Sequence, residues 1–451
     1  MSKIEVNTVE PQCGTTLTLG GSGDTVALAC GASQTGFGRT GTVDWDTASI
    51  KTAGFVAVSG KGYFCNTTGG IFTVTLPASP SAGDIVAVKD YAGTFDTNNL
   101  TLGRNSSNIE GAAADAILST ESLAVTYVYA DGTKGWLAIN DMAASQVPKF
   151  VTATGGTPCS GAIVCTDYKV HTFTSPGTLV VSCAGNAGGS TEVSYMVVAG
   201  GGGSGSSEGG GGGGAGGFRE GKSPQTPYTA SPLACTAGAN NGLTVEAIPY
   251  AITVGGGGAG GPYPSSPSTG VKGSDSVFSS ITSTGGGYGS GHPTCTAAGG
   301  PGGSGGGGGA RTDKAGGTGN TPPFSPSQGK DGGNGAPGSN PSGVDAGGGG
   351  GGATVAATNA ACFAGTDGGA GATTSISGSP TAYSGGGGGG QEGGTVNCGG
   401  VGGGGNGGFG STGGTVGTVN TGGGGGGSGS NTPGAGKAGG SGVVIIRYKF
   451  Q

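Results

Sequence analysis

The residues of this 451-residue chain that could carry chemistry are two histidines, ten cysteines and a scatter of carboxylates. His292 lies three residues before Cys295 in the stretch GSGHPTC, which pairs a base with a thiol nucleophile. Such a pair works only when a third group orients the base, and the neighbouring glycine, serine and proline supply none. His171, beside Lys169 in a segment that alternates like a strand, reads as structural. Glycoside cleavage needs two facing carboxylates. Asp84, Asp90, Asp96, Glu110 and Asp115 are instead spread as on the solvated face of a small β-domain. The cysteines (Cys13, Cys30, Cys65, Cys159, Cys165, Cys183, Cys235, Cys295, Cys362 and Cys398) include no CxxC pair, and two histidines give no zinc spacing. Gly221-Lys222-Ser223 is read as a bare tripeptide and not as part of a phosphate loop. The expectation is a protein that is not an enzyme and has no cofactor and no metal.

What positions such residues is unusual, because glycine dominates the second half. Of 116 glycines, 27 fall in residues 1–200, which leaves 116 − 27 = 89 in the following 251. The net charge of −6 comes from the first part, with 9 Lys/Arg against 15 Asp/Glu, while the second part holds 9 of each. A charge-poor half lacks the clustered Lys and Arg that displace counterions from phosphate, so no nucleic-acid partner is expected. A polybasic membrane patch is missing for the same reason, and no run is apolar and long enough to span a bilayer. MSKIEVNTVEP has no apolar core of a secretory signal. Folding in a reducing compartment with free thiols is therefore expected, with Cys159–Cys165 or pairs among the four later cysteines open to oxidation.

Period-2 patterning predicts strands throughout and no helix of note. Residues 1–43 hold two short strands in TTLTLGGSGDTVALACG, which cannot stand alone in water and call for packing in an oligomer. Residues 44–142 read as a small antiparallel β-domain. GIFTVTLP places Phe72, Val74 and Leu76 on one face, GDIVAVKDY reads as buried on both faces, and LAVTYVYADGTKGWLAIN reads as a hairpin. Residues 143–161 read as a linker, and 162–199 as a β base for the glycine-rich half. Within that base DYKVHTFTSPGTLVVS reads as a hairpin turning at Ser175-Pro176-Gly177. EVSYMVVAG leads into the glycine, and GVVIIRYKF within 441–451 closes the chain. The two flanking strands are expected in one sheet, fastening both ends of residues 200–440, with LTVEAIPYAITV joining them.

Runs of six glycines stand at 209–214, 347–352, 385–390 and 422–427, with shorter ones between. Gly/Ser linkers are ordinarily flexible coils. These runs lack the Glu, Lys and Gln of solvated disorder and lie between strands whose pairing forces the chain to return. The structured solution is a set of polyproline II-type helices, with three residues per turn and no internal hydrogen bonds. Each N–H and C=O must then bond a neighbouring helix. Helices come close enough for that only where Cβ is missing. The expected fold is therefore a set of all-β N-terminal modules followed by a polyglycine II helix sandwich on a small β base, with almost no α-helix.

SYMVVAGGGGSG, YAITVGGGGAGG, DSVFSSITSTGGGYG and the closing GGSGVVIIRY together resemble the glycine-rich domains of tailed-phage tail fibres and receptor-binding adhesins. That resemblance implies a virion protein assembled in the host cytoplasm, partnered by other tail proteins and forming a homotrimer. It implies that loops at the distal end of the sandwich select a bacterial surface receptor, either outer-membrane protein or polysaccharide. The segments between runs carry the aromatic candidates Tyr228, Tyr263, Phe278, Tyr288, Phe324, Phe363 and Tyr383. Rigid rings among Ser, Asn and Gly make a recognition surface at low entropy cost, although rings beside glycine helices also plug gaps. Rival readings are a structural tail component, an ice-binding or matrix protein, and a depolymerase.

Overall fold

The computed structural model describes residues 42–139, 148–234, 241–264, 268–291, 298–310, 314–336, 345–361, 364–393, 395–429 and 434–451. Every regular element among them is a strand, and none is a helix. The segment TTLTLGGSGDTVALACG lies outside these residues.

In residues 42–139 the expectation of an antiparallel domain is corrected. Asp44–Lys51, Lys61–Cys65 and Ile85–Asp90 pair in parallel, and so do Phe55–Val56, Phe72–Thr75 and Leu100–Gly103 in a second sheet. The chain thus coils, each strand meeting its equivalent one turn later, where hairpin logic looks only at the nearest neighbour. Antiparallel pairing enters with Ala116–Leu118 and with the hairpin of Ala124–Asp131 and Gly135–Ala138, which forms as expected. Ile85 to Val88 are all buried, as strands covered on both faces must be, and Val74 and Leu76 point into the same core as Trp136.

The base begins earlier than the sequence suggested. Val151–Thr154 is a strand inside the segment read as a linker, and the strand Thr157–Val164 begins there. A five-stranded and a six-stranded sheet face each other. One runs in the order Val151–Thr154, Gly177–Ala184, Pro249–Thr253, Ser276–Phe278, Ile281–Ser283. The other runs Thr157–Val164, Tyr168–Phe173, Val443–Lys449, Glu192–Val198, Phe218–Gly221, with Leu243–Thr244 beside Glu192–Val198. Phe173, Leu179, Val181, Val197, Phe278, Val444 and Ile446 fill the space between them.

The flanking strands pair as expected. Ser194 to Val198 register with Arg447 to Val443 in antiparallel. The reading of 167–182 as a hairpin is corrected, since Tyr168–Phe173 and Gly177–Ala184 belong to opposite sheets. Both bury one face against the same core, so the Ser175-Pro176-Gly177 turn arches across the sandwich instead of pairing its arms. LTVEAIPYAITV is split: Leu243–Thr244 joins the flanking strands, and Pro249–Thr253 joins the other sheet.

The glycine runs have no strand pairing and bond outward with a period of three. Gly200, Gly203 and Ser206 donate to Ser274, Val271 and Ser268. Gly201, Ser204 and Ser207 donate to Gly440, Lys437 and Gly434, and Gly202 and Gly205 donate to Gly214 and Gly211. Every third N–H thus reaches the same neighbour, which runs the opposite way. Gly258 and Gly261 in turn donate to Gly201 and Ser204, a parallel neighbour. A Cβ on Gly202 would collide with the carbonyl of Gly287, and one on Gly213 with that of Gly202. Only glycine permits that approach.

Candidate functional site: the far end of the glycine domain

The hydrogen-bond register gives each connection one of two ends. Ala199 donates to Gly217 and Gly442 to Gly255, beside the base; Ser207 donates to Gly434 and Gly390 to Gly210, at the far end. Following each segment from the base, residues 207–209, 262–264, 268, 291, 298, 310, 314, 336, 345, 361, 364, 391–393, 395, 409–412, 429 and 434 all fall at the far end. The stretches 222–234, 241–242, 318–328 and 372–383 lie toward the base.

That division sorts the aromatic candidates. Phe278 is fully buried between the sheets, edge-on to Tyr195 and Tyr250 with ring centroids 6.2 and 6.0 Å away. Tyr383, 7% exposed, packs with Phe218, Ala372 and Ile445 on the outer side of the flanking strands. Neither ring offers a surface to a partner. Both lie in hairpins that the sequence showed only as non-glycine inserts. Tyr228 is half-buried over that second core, its ring 5.3 Å from the Arg447 guanidinium and 5.4 Å from Lys222 Nζ. Burial, and secondarily the carboxylate of Glu220, pushes its hydroxyl pKa up.

Phe324 lies under the Arg219 guanidinium at 4.2 Å. Its loop is tied down by Asn320, which accepts from Phe324 N and Gln328 N, and by Gln328, which accepts from Thr284 N. The loop closes over the edge strands Phe218–Gly221 and Ile281–Ser283, whose free backbone groups would otherwise invite another chain. Tyr288 lies half-buried on the flank, its ring against Gly300. Phe363 is outside the described residues, as are His292 and Cys295. Among the described candidates, Tyr263 alone stands at the far end, and it is 44% exposed.

Sequence reasoning missed the charged groups of that end. Asp345 N donates to Glu392 Oε2 at 3.3 Å while Glu392 N donates to Asp345 O at 3.0 Å. Lys314 Nζ is buried and donates to Gly291 O at 2.6 Å, and Glu208 sits in the adjoining turn. The signal was present: Glu208 immediately precedes a six-glycine segment that starts at the far end, Asp345 stands one residue before another, and Glu392 closely follows one that finishes there.

Other polar residues serve the frame. Asp331 Oδ1 accepts from Gly319 N, Asn334 Oδ1 from Gly316 N, Asp367 Oδ1 from Cys398 N and Asn406 Oδ1 from Gly399 N, all within 2.6–2.9 Å. An outer segment has no neighbour on its outer side, and these side chains satisfy the amides left over.

Elsewhere, titratable groups are held singly. Asp90 accepts from Gly93, Thr94, Phe95 and Ser122 N–H, Asp84 from Ser81 N, Asp115 from Arg104 N and Glu110 from Ala138 N. His171 is buried, with Nδ1 2.6 Å from Gly155 O and Nε2 3.0 Å from the Tyr448 hydroxyl. Burial holds its pKa below the ordinary imidazole value, and Lys169 adds to that, against the pull of the Gly155 hydrogen bond. Tyr448 is pushed up to about 12 by the same burial. Cys159 and Cys165, a possible oxidised pair from sequence, are both free and exposed. No group of three metal-ligating side chains is gathered among the described residues.

No curated protein matches this chain. The model of the glycine-rich domain matches residues 174–449, which spans both flanking strands and everything between them, and the chain belongs to that family.

Proposed function

We propose that this protein is a tailed-phage tail-fibre adhesin, acting without catalysis, whose far-end turns bind a receptor on the bacterial surface. In this reading the period-three segments are polyglycine II helices, which give a stiff frame with few side chains. The observation that carries it is the sorting of connections. The base closes one end and folds its own long inserts back over itself. In this reading the sequences that join the segments at the other end vary without cost to the frame.

Tyr263, Glu208 and Glu392 give that end an aromatic and acidic character suited to hydroxyl-rich or basic receptor groups. The receptor is an outer-membrane protein or a polysaccharide, and the N-terminal modules attach the chain to other tail proteins.

The test is binding of the fluorescently labelled full chain to a panel of bacterial isolates. It is compared with a variant lacking residues 338–343, between the far-end residues Ala336 and Asp345, and a variant with residues 321–327 shortened at the base. Loss in the first with retention in the second supports far-end recognition. Equal binding by all three, or no binding by the intact folded chain to any isolate, overturns it and favours a structural tail component.

A further inference from the structure

We infer that the outer face of the base sheet containing Gly177–Ala184, together with the flank of the glycine domain that continues it, is an interface between two copies of this chain. The sheet alternates strictly. Leu179, Val181, Ile252 and Phe278 turn into the core, so the residues between them face outward.

Register aligns these outward positions in rows across the strands. Thr154 stands opposite Val180, which stands opposite Pro249; Thr253 stands opposite Val277, which stands opposite Thr282. Between those rows Thr178 faces Ala251. None of these eight positions is charged. All are exposed except Val277 and Thr282, which are half-buried, and Val180 is 44% exposed. A solvent-facing sheet ordinarily carries Lys and Glu, which keep copies apart.

The face does not stop at the sheet. Pro249–Thr253 runs on into segment 255–262, and segment 268–275 leads back into Ser276–Phe278. In segment 255–262 the rows toward its neighbours are closed: Gly255 and Gly258 face Ser274 and Val271, and Gly257 and Gly260 face Gly439 and Gly436. The remaining row, Gly256, Ala259 and Pro262, points to solvent. A Cβ on Gly256 would meet nothing within 4 Å, and its backbone is not in the left-handed region, so nothing inside this chain requires glycine there.

Two considerations make a second copy the occupant. In a two-fold interface each residue near the axis meets its own copy, so any charge there meets a like charge. The sheet presents none, and the flank carries Lys272 and Asp275, one of each sign. Its size also fits. Five strands at about 4.8 Å spacing and five residues of strand give a sheet patch of roughly 400 Å². Eight residues of three-fold helix extend it by about 25 Å. Carried at that full width, the patch reaches about 1,000 Å², so the range brackets the roughly 800 Å² that each partner gives to a standard interface. Pairing through this flank leaves the far-end turns clear, so it stands whether or not those turns bind a receptor.

The test is the mass of the intact chain by light scattering and sedimentation at 1–50 µM, an interval of about the affinity such an interface supports. The assembly is expected at an even multiple of 41.8 kDa. Val180→Lys with Ala251→Lys is expected to halve that mass. Thr154→Lys with Thr282→Lys, at the margins of the same face, is expected to weaken assembly without touching the core. Circular dichroism and melting confirm that each variant folds. A monomer at 50 µM, or an assembly whose mass neither folded double variant changes, overturns the proposal.

Discussion

Val198 and Val443 stand directly opposite each other in an antiparallel ladder, one the last strand residue before the glycine domain and the other the first after it. Everything from 199 to 442 is therefore a single insertion between two adjacent strands. The glycine segments nearest the base, 200–207 and 434–442, leave this ladder side by side and go on bonding to each other through Gly201 and Gly440. Truncation after Gly442 should thus remove the anchor of both. The expected outcome is loss of the base transition in calorimetry and rapid proteolysis throughout the glycine domain. A truncated chain as protease-resistant as the intact one would show that the bundle holds itself together.

Ile446 is fully buried, facing His171 and Tyr195 across its two ladders. Ile446→Ala should cost about 2–5 kcal/mol, the range for truncating a buried aliphatic side chain. Denaturant unfolding followed by far-ultraviolet circular dichroism reads it. Phe278→Ala and Tyr383→Ala should likewise lower stability, whereas Tyr263→Ala should leave it unchanged and reduce cell binding alone.

Two glycines should answer oppositely to alanine. At Gly213 the added methyl meets the Gly202 carbonyl, and overpacking of this kind costs about 1–3 kcal/mol or more. At Gly256 the methyl meets nothing, and the stiffer unfolded chain makes the change neutral or stabilising by about 0.4–1 kcal/mol. Melting temperatures of the two variants at submicromolar concentration decide it. A Gly213→Ala protein as stable as the parent would mean that the segments do not pack this closely.

Asp90 is 2% exposed and accepts four backbone amides from the turns at 93–95 and 122. Asp90→Ala strands those donors inside the fold, and a loss of about 2–4 kcal/mol is expected. Both tryptophans, Trp45 and Trp136, lie in this N-terminal unit, so tryptophan fluorescence isolates its unfolding from that of the base. An unshifted fluorescence midpoint would mean that the carboxylate does not hold these turns.

His171 predicts how the base responds to acid. Its folded pKa lies below the ordinary value near 6.5, so between those two the unfolded chain binds more protons. The stabilisation is complete above about pH 6.5 and is lost as pH falls from there toward the folded pKa. Melting of the base between pH 8 and 5 should show this decline, with a slope of at most about 1.4 kcal/mol per pH unit. In His171→Gln the slope should flatten. A parent protein whose base melts at one temperature across that interval would contradict the assignment.

Much of this molecule was set by local chemistry. Alternation marked the strands, and the paucity of charge with the density of glycine marked a bundle whose backbone bonds must run between segments. Val193–Ala199 and Val443–Lys449 found each other because no other apolar runs of that length and β-branched character flank the glycine. The parallel coiling of residues 42–139 was not legible, because period-2 patterning gives a strand's faces and not its partner. The arch at Ser175-Pro176-Gly177 escaped for a related reason: a turn and two alternating arms look the same whether the arms pair or face each other across a core. The sequence displayed all seven aromatic residues as equivalent inserts between glycine runs. Only the register of the hydrogen bonds assigned each connection to an end, sending Phe278 and Tyr383 into cores and leaving Tyr263 exposed at the far end. Which end a loop occupies depends on how many times the chain has already crossed the bundle, a property of the whole path and not of any local stretch.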